Sequence, residues 1–272
     1  MHNVVLLHGF WHGTWCWTPI TTRLAARGIP SLAVELEGHG LSAVSPQCRW
    51  SVPFDAAAYA TEPSPVAGVT ASSAADTLLS QLNGPSVVVA HSMAGPVATL
   101  AAERAPELFA HLLYVAAFTP VSGLPAAAYI GAPENAGDMV GPLLTADPAT
   151  IGALRLPVSD RARHPELHKA FYDDVDQTVA DAAIALLSPD APAGIAGEAF
   201  TVTRERYGTV PKSYVFCGRD NAVRPDLQRR LIREIDAVSA QPTRVHELDS
   251  SHSPFLSNPD ALTAIVEGCD VR

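Results

Sequence analysis

The sequence lacks any apolar run that approaches the roughly 18 residues needed for a membrane-spanning helix, because polar residues, glycine or proline interrupt every apolar stretch. Basic residues are also scarce, 18 against 28 acidic ones, which gives a formal net charge of −10. Nucleic acids and anionic membranes are bound through basic patches. We therefore expect no nucleic-acid partner and no membrane partner.

Cysteine is scarce as well: the four cysteines form no CxxC pair and no Cys/His spacing typical of a metal site. A disulfide framework is therefore not expected. No basic segment or small-residue cleavage site lies near the N-terminus, which argues against a signal peptide. These features predict a cytoplasmic protein with reduced thiols.

What the 272 residues do contain is an alternation of short β-branched runs and amphipathic stretches, with 47% apolar and 17% charged residues overall. The predicted strands are residues 4–7, 30–36, 87–90, 112–118, 213–216 and 244–248. The predicted helices are residues 17–27, 70–82, 93–109, 225–238 and 260–268. This alternation predicts an α/β fold with a mainly parallel central sheet and helices on both faces.

The alternation stops between the fourth and fifth predicted strands. Residues 119–208 are rich in proline, glycine and alanine, predict no strand, and contain two predicted helices at 165–175 and 177–187. We interpret them as an inserted helical cap, which leaves 1–118 and 209–272 as the core domain. Residues 43–69 contain four prolines and predict a loop or a short excursion over the site.

The strongest chemical signal is the sequence VVAHSMAG at residues 88–95. A β-rich run ends at Ser92, small residues Ala90 and Ala94 flank it two positions away, and a helix follows at once. This is the pattern of a nucleophile elbow, with alanine in place of both glycines. A sharp strand-to-helix turn tolerates only small neighbours, and it lifts the serine hydroxyl into a cleft.

A serine hydroxyl needs a base and an acid that orients the base. Asp220 follows the predicted strand 213–216, and His252 follows the strand 244–248, so the chain order is Ser, Asp, His, as expected for this elbow. Two other acids are weaker candidates. Asp249 precedes the histidine by three residues in a tight loop, and Asp226 is placed to cap a helix.

The turn after the first strand, HGFWHGTW at residues 8–15, can present a backbone amide to a developing oxyanion. We expect the amides of Phe10 and Met93 to form this hole, with Trp11 near the pocket mouth. His8 and His12 stand four residues apart, but the intervening glycines argue against a helical metal pair, and we predict no metal.

Together these motifs resemble the α/β-hydrolase superfamily, and within it the branch of plant methyl esterases, hydroxynitrile lyases and many bacterial esterases. The matching segments are HGFWHGTWCW, ELEGHGLS, AHSMAG, GRDNAV and SSHSPFLSNPD. The resemblance implies an acyl-transfer enzyme without a cofactor, in which Ser92 is the nucleophile, His252 the base and Asp220 its orienting acid.

Two positions argue against hydroxynitrile lyase activity. The lyases of this branch have threonine after the first histidine of the motif and lysine after the catalytic histidine, where this chain has Gly9 and Ser253. We therefore expect a carboxylic ester hydrolase acting on a small or medium apolar ester. The following cap residues are candidates to line the apolar pocket: Leu143, Leu144, Phe171, Ile184 and Leu187.

The sequence leaves other functions open. The same three residues could act on a lactone, on a C–C bond next to a carbonyl, or in a cyclisation of secondary metabolism. A non-catalytic ligand-binding receptor on this fold, as some plant hormone receptors are, is the alternative from another class. The identity of the natural substrate and the formation of a homodimer are also left open by the sequence.

Overall fold

A computed structural model describes residues 2–269 of the chain. The strands are β1 (Asn3–Leu7), β2 (Ser31–Val34), β3 (Ser86–His91), β4 (Phe109–Val115), β5 (Ala153–Arg155), β6 (Asp190–Pro192), β7 (Lys212–Cys217) and β8 (Arg244–Leu248). The α-helices are α1 (Thr18–Ala26), α2 (Ala56–Thr61), α3 (Ala71–Ser80), α4 (Ala94–Arg104), α5 (Ala126–Ile130), α6 (Pro148–Ile151), α7 (His164–Phe171), α8 (Gln177–Leu186), α9 (Ala193–Gly197), α10 (Pro225–Val238), α11 (Pro254–Ser257) and α12 (Pro259–Glu267). The 3₁₀ turns are Thr14–Trp17, Gly40–Ser42, Gln47–Trp50, Pro106–Leu108, Pro133–Asn135, Gly141–Leu143, Arg161–Arg163 and Tyr207–Thr209.

Six strands form one parallel sheet in the order β2-β1-β3-β4-β7-β8. β3 lies near the middle and is buried along its whole length, which explains its unbroken apolar sequence. Successive side chains of a strand point to opposite faces. Val88 and Ala90 therefore join the hydrophobic cluster that includes α3, α4 and α10, whereas Val87 and Val89 join the cluster with α1 and α12. The predicted α/β architecture is confirmed.

The helix predicted at 93–109 was too long. Helix α4 ends at Arg104, and Phe109, assigned to that helix, is instead the first residue of β4. Pro106 explains the difference, because proline lacks the amide hydrogen that would continue the helix. The strand predicted at 112–118 is correspondingly displaced and ends at Val115.

Residues 119–208, called the cap segment from here on, contain α5–α9 together with β5 and β6. The prediction of no strand there was wrong, since β5 and β6 pair antiparallel. Arg155 in β5 and Asp190 in β6 form a buried two-pronged ion pair, with Nε–Oδ1 at 2.6 Å and Nη2–Oδ2 at 2.7 Å. Each strand has only three residues, so neither shows an alternating pattern in the sequence. Residues 43–69 contain α2 in addition to loop.

Within the described residues, no helix is long and apolar enough to cross a membrane. All four cysteines of the chain lie in this part and are buried as thiols: Cys16, Cys48, Cys217 and Cys269.

Candidate active site

Ser92 lies directly between β3 and α4, in a conformation that few residues other than glycine adopt. Its φ angle is +53°. Backbone hydrogen bonds hold this strained turn: its amide donates to the Val115 carbonyl at 3.1 Å, and its carbonyl accepts from Gly95 at 3.0 Å and from Phe118 at 3.2 Å. The strain is thus supported by the strand that neighbours β3, which fixes where the hydroxyl points.

The close approach of α4 to the segment that follows β4 depends on Gly95. A Cβ atom at Gly95 would lie 1.9 Å from the carbonyl oxygen of Phe118. The sequence pattern placed its small residues at Ala90 and Ala94, both fully buried. The structure shows that Gly95, the residue after Ala94, has no room for a side chain.

His252 and Asp220 reach Ser92 from the loops that follow β8 and β7. His252 Nε2 lies 3.0 Å from Ser92 Oγ, and His252 Nδ1 lies 2.8 Å from Asp220 Oδ2. The Asp220 carboxylate needs a donor, so Nδ1 carries the hydrogen and Nε2 is left to accept from the serine hydroxyl. The three residues that the sequence singled out separately therefore form one continuous hydrogen-bonded chain.

The second oxygen of Asp220 is also fixed. Its Oδ1 accepts the amides of Ala222 at 2.7 Å and Val223 at 2.9 Å, and the residue is fully buried. The competing acids lie elsewhere: the side chain of Asp249 is 86% exposed and pairs with Arg219, and that of Asp226 is 77% exposed.

His91, to which the sequence assigned no role, holds the backbone of His252 in place. Its Nε2 donates to the backbone carbonyl of His252 at 2.9 Å, and the two rings lie 4.6 Å apart. Burial, together with the neighbouring His252, holds the pKa of His91 well below its ordinary value, so this ring stays neutral. Its position directly before Ser92 was the only signal in the sequence.

The turn after β1 brings Phe10 to the same place. Phe10 and Met93 are buried and line the cleft that contains Ser92 and His252. Among the described residues, neither amide donates to a backbone or side-chain acceptor. The next residue, Trp11, has a φ of +62° and is held by the cap segment, since its Nε1 donates to the Leu154 carbonyl at 2.9 Å.

His12 fixes the same turn rather than contributing to a metal site. Its Nδ1 donates to the Phe10 carbonyl at 2.9 Å, and its Nε2 accepts from the Tyr172 hydroxyl at 2.9 Å. Burial lowers the pKa of His12 to about 3, so the ring is neutral and in one tautomer. His8 instead contacts Glu35 at 2.9 Å. Over residues 2–269, no group of three or more His, Cys, Asp or Glu side chains is arranged to hold a metal ion.

The cleft above Ser92 has a volume of about 460 Å³, part of it open to solvent. Its lining is mostly apolar, and Asp138 is the one carboxylate among the lining residues that the structure describes. Three predicted pocket residues line it: Trp11, Leu144 and Phe171. The other three, Leu143, Ile184 and Leu187, are buried but are not among the lining residues.

Known proteins agree with this architecture. The family model described as "Alpha/beta hydrolase family" matches residues 4–265. The chain belongs to this family. Methylesterase 7 of Arabidopsis thaliana is 27% identical, and the match covers 96% of this chain and 94% of that protein. Methyl jasmonate esterase 1 of Vitis vinifera is 25% identical, over 97% of this chain and 95% of the other.

Among solved structures, a pyrethroid hydrolase from Sphingobium faniae JZ-2 superimposes with a TM-score of 0.75 at 21% identity, covering 99% of this chain and 97% of that one. This likeness supports the fold. The resemblance to the methyl esterase branch that the motifs indicated is confirmed by the relatives in sequence.

Proposed function

We propose that the protein is a serine hydrolase that cleaves a carboxylic ester of a small or medium apolar substrate. The observation that carries this proposal is the chain of hydrogen bonds from Ser92 Oγ through His252 to Asp220 at the floor of an apolar cleft. The esterases among the sequence relatives support the same bond type.

In the first half of the reaction, His252 Nε2 takes the hydroxyl proton of Ser92 as Oγ attacks the ester carbonyl carbon. The imidazolium that forms is stabilised by the Asp220 carboxylate, which stays ionised. The tetrahedral intermediate then collapses, the ester C–O bond breaks, and His252 returns its proton to the leaving alcohol. An acyl-enzyme on Ser92 remains.

In the second half, a water molecule attacks the acyl carbonyl while His252 takes one of its protons. The second tetrahedral intermediate collapses, the bond to Ser92 Oγ breaks, and the proton returns to Oγ. The carboxylic acid product is released and the enzyme is restored.

The negative oxygen of both tetrahedral intermediates would bind the backbone amides of Phe10 and Met93. Within residues 2–269 neither amide has another acceptor, so both are available to an oxyanion. Each preorganised donor to an oxyanion lowers the barrier by about 3–4 kcal/mol. Met93 is also the N-cap of α4, where the positive end of the helix dipole stabilises negative charge.

The cleft favours an uncharged acyl or alkoxy group. Its walls are side chains such as Phe118, Ile130 and Leu144. Asp138 introduces one negative charge, which would repel a substrate that carries a distal carboxylate.

We propose in addition that 119–208 is an inserted cap on a core made of 1–118 and 209–272, since both the cap segment and the core line this cleft.

The test is a fluorophosphonate probe combined with a panel of p-nitrophenyl, methyl and lactone substrates. We expect labelling of the wild type at Ser92, no labelling of Ser92→Ala, and strongly slowed labelling of His252→Ala. Hydrolysis of p-nitrophenyl esters should be lost in both variants. A wild type that neither labels nor hydrolyses, yet binds an apolar ligand tightly, would favour a receptor instead.

A further inference from the structure

Asp174 lies between α7 and α8 in the cap segment, and only 9% of its side chain is exposed. It is not among the residues that line the cleft. Its carboxylate instead contacts the two loops that carry His252 and Asp220. The mechanism proposed above gives it no part.

The contacts to the His252 loop are the closer ones. The amide of Ser251 donates to Asp174 Oδ2 at 2.9 Å, and the hydroxyl of Ser251 donates to Oδ1. Ser251 is fully buried and directly precedes His252. One carboxylate thus satisfies both polar groups of the residue next to the histidine, and bonds to an ionised acceptor are about twice as strong as neutral ones.

The contact to the Asp220 loop runs through Arg219, the residue directly before Asp220. Arg219 Nη2 lies 3.4 Å from Asp174 Oδ2, and Arg219 Nε pairs with Asp249 Oδ1 at 3.0 Å. The amide of Arg219 also donates to the Ser250 carbonyl at 3.0 Å. Asp174 and Arg219 therefore join the two loops to each other and to the cap segment.

The neighbouring Asp173 shows what an aspartate at this turn does without such contacts. It pairs with Lys169 at 2.7 Å, one helical turn earlier, and its side chain is 29% exposed. A surface pair of this kind contributes little to stability. The two adjacent carboxylates thus have the same charge but different partners.

We propose that Asp174 is a positioning residue: its carboxylate fixes the loops before His252 and Asp220, so that docking of the cap segment and assembly of the Ser92–His252–Asp220 chain occur together. The 3.0 Å contact between His252 and Ser92 then depends on a residue outside the core sheet. This inference rests on the proposed hydrolase function, since the contact matters only if His252 takes the proton of Ser92. An error of about 1 Å in such a contact costs about 100-fold in rate.

The test compares Asp174→Asn with the matched control Asp173→Asn, which removes the same charge one residue away. Each kcat is divided by the number of active sites found by fluorophosphonate titration, so misfolded protein does not count. We expect kcat and the labelling rate to fall about 10- to 100-fold in Asp174→Asn, with KM within about twofold and the control unchanged. Ser251→Ala should give a smaller loss that is not additive with Asp174→Asn.

A second readout does not require activity. The proton on His252 Nδ1 should give a low-field NMR resonance, identified by its absence in His252→Ala. We expect this resonance to broaden or disappear in Asp174→Asn and to persist in Asp173→Asn. An unchanged resonance and an unchanged kcat per site in Asp174→Asn would overturn the proposal. Failure of the wild type to react with the probe would overturn the hydrolase function instead, and the resonance would still decide the role of Asp174.

Discussion

Gly9 and Ser92 approach each other so closely that a Cβ atom added to Gly9 would lie 2.6 Å from the Cβ of Ser92. It would also lie 2.9 Å from Nδ1 of His91. Threonine, which the hydroxynitrile lyases of this branch have at this position, therefore cannot be accommodated unless the elbow moves. The glycine is required by its close contact with Ser92 and His91.

Gly9→Ala should reduce kcat/KM for a p-nitrophenyl ester by about 100-fold, because Ser92 has to shift to relieve the overlap. The measurement is steady-state kinetics together with a thermal melt. Gly68→Ala is the control, since a Cβ atom there would meet nothing within 4 Å. Equal activity of the two variants would contradict the proposed geometry.

Asp220→Asn should lower kcat by about 10³- to 10⁴-fold while leaving the fold intact. The amide oxygen of asparagine can still accept from Ala222 and Val223, which leaves its NH₂ group to face His252 Nδ1. The ring would then take the wrong tautomer, with a hydrogen on Nε2. Asp249→Asn should have little effect, and a large loss there with normal Asp220→Asn kinetics would transfer the acid role to Asp249.

Asp138→Asn should change the charge preference of the cleft without altering its walls. Asp138 Oδ1 accepts the amides of Val140 at 3.0 Å and Gly141 at 2.7 Å, and an asparagine oxygen can do the same. We expect kcat/KM for an ester with a distal carboxylate to rise about three- to tenfold relative to a neutral ester, and that for a trimethylammonium ester to fall.

The control is Asp160→Asn, which removes the same charge from another turn of the cap segment, where Oδ1 accepts the amide of Ala162. Asp160 does not line the cleft. Identical substrate ratios in both variants would exclude a role of Asp138 in selectivity.

The folded protein should lose stability as the pH falls below about 6.5, where free histidine takes up a proton. Burial lowers the pKa of both His12 and His39 to about 3, so the folded state keeps these rings neutral while the unfolded chain binds protons. The free energy of unfolding therefore rises between about pH 3 and about pH 6.5, by about 1.4 kcal/mol per pH unit for each ring. Above about pH 6.5 this contribution is complete.

Denaturant unfolding at several pH values measures this dependence. The slope below pH 6 should correspond to at least two protons, and His39→Gln should reduce it by about one. A free energy of unfolding that stays constant from about pH 7 to 4.5 would contradict the burial of neutral histidines.

The sequence was most informative where chemistry and secondary structure coincide. Ser92 directly follows β3, and Asp220 and His252 lie in the loops that follow β7 and β8. All three strands could be predicted from the sequence. In a parallel sheet the carboxyl ends of the strands meet at one edge, so their order and position were enough to predict that they converge. The pocket was less predictable: Leu144 and Leu143 are adjacent and equally apolar, but only the first lines the cleft.

Composition and local pattern alone thus predicted the fold class and the order of the functional residues along the chain. Only the tertiary structure decided which side chains support the functional residues. His91 donates to the His252 carbonyl, His12 donates to the Phe10 carbonyl, and Asp174 accepts from the amide of Ser251. The physical reason is distance along the chain. A residue's place in a strand or turn depends on its neighbours in sequence, whereas a contact such as that between residues 174 and 251 exists only after the cap segment and the sheet have packed together.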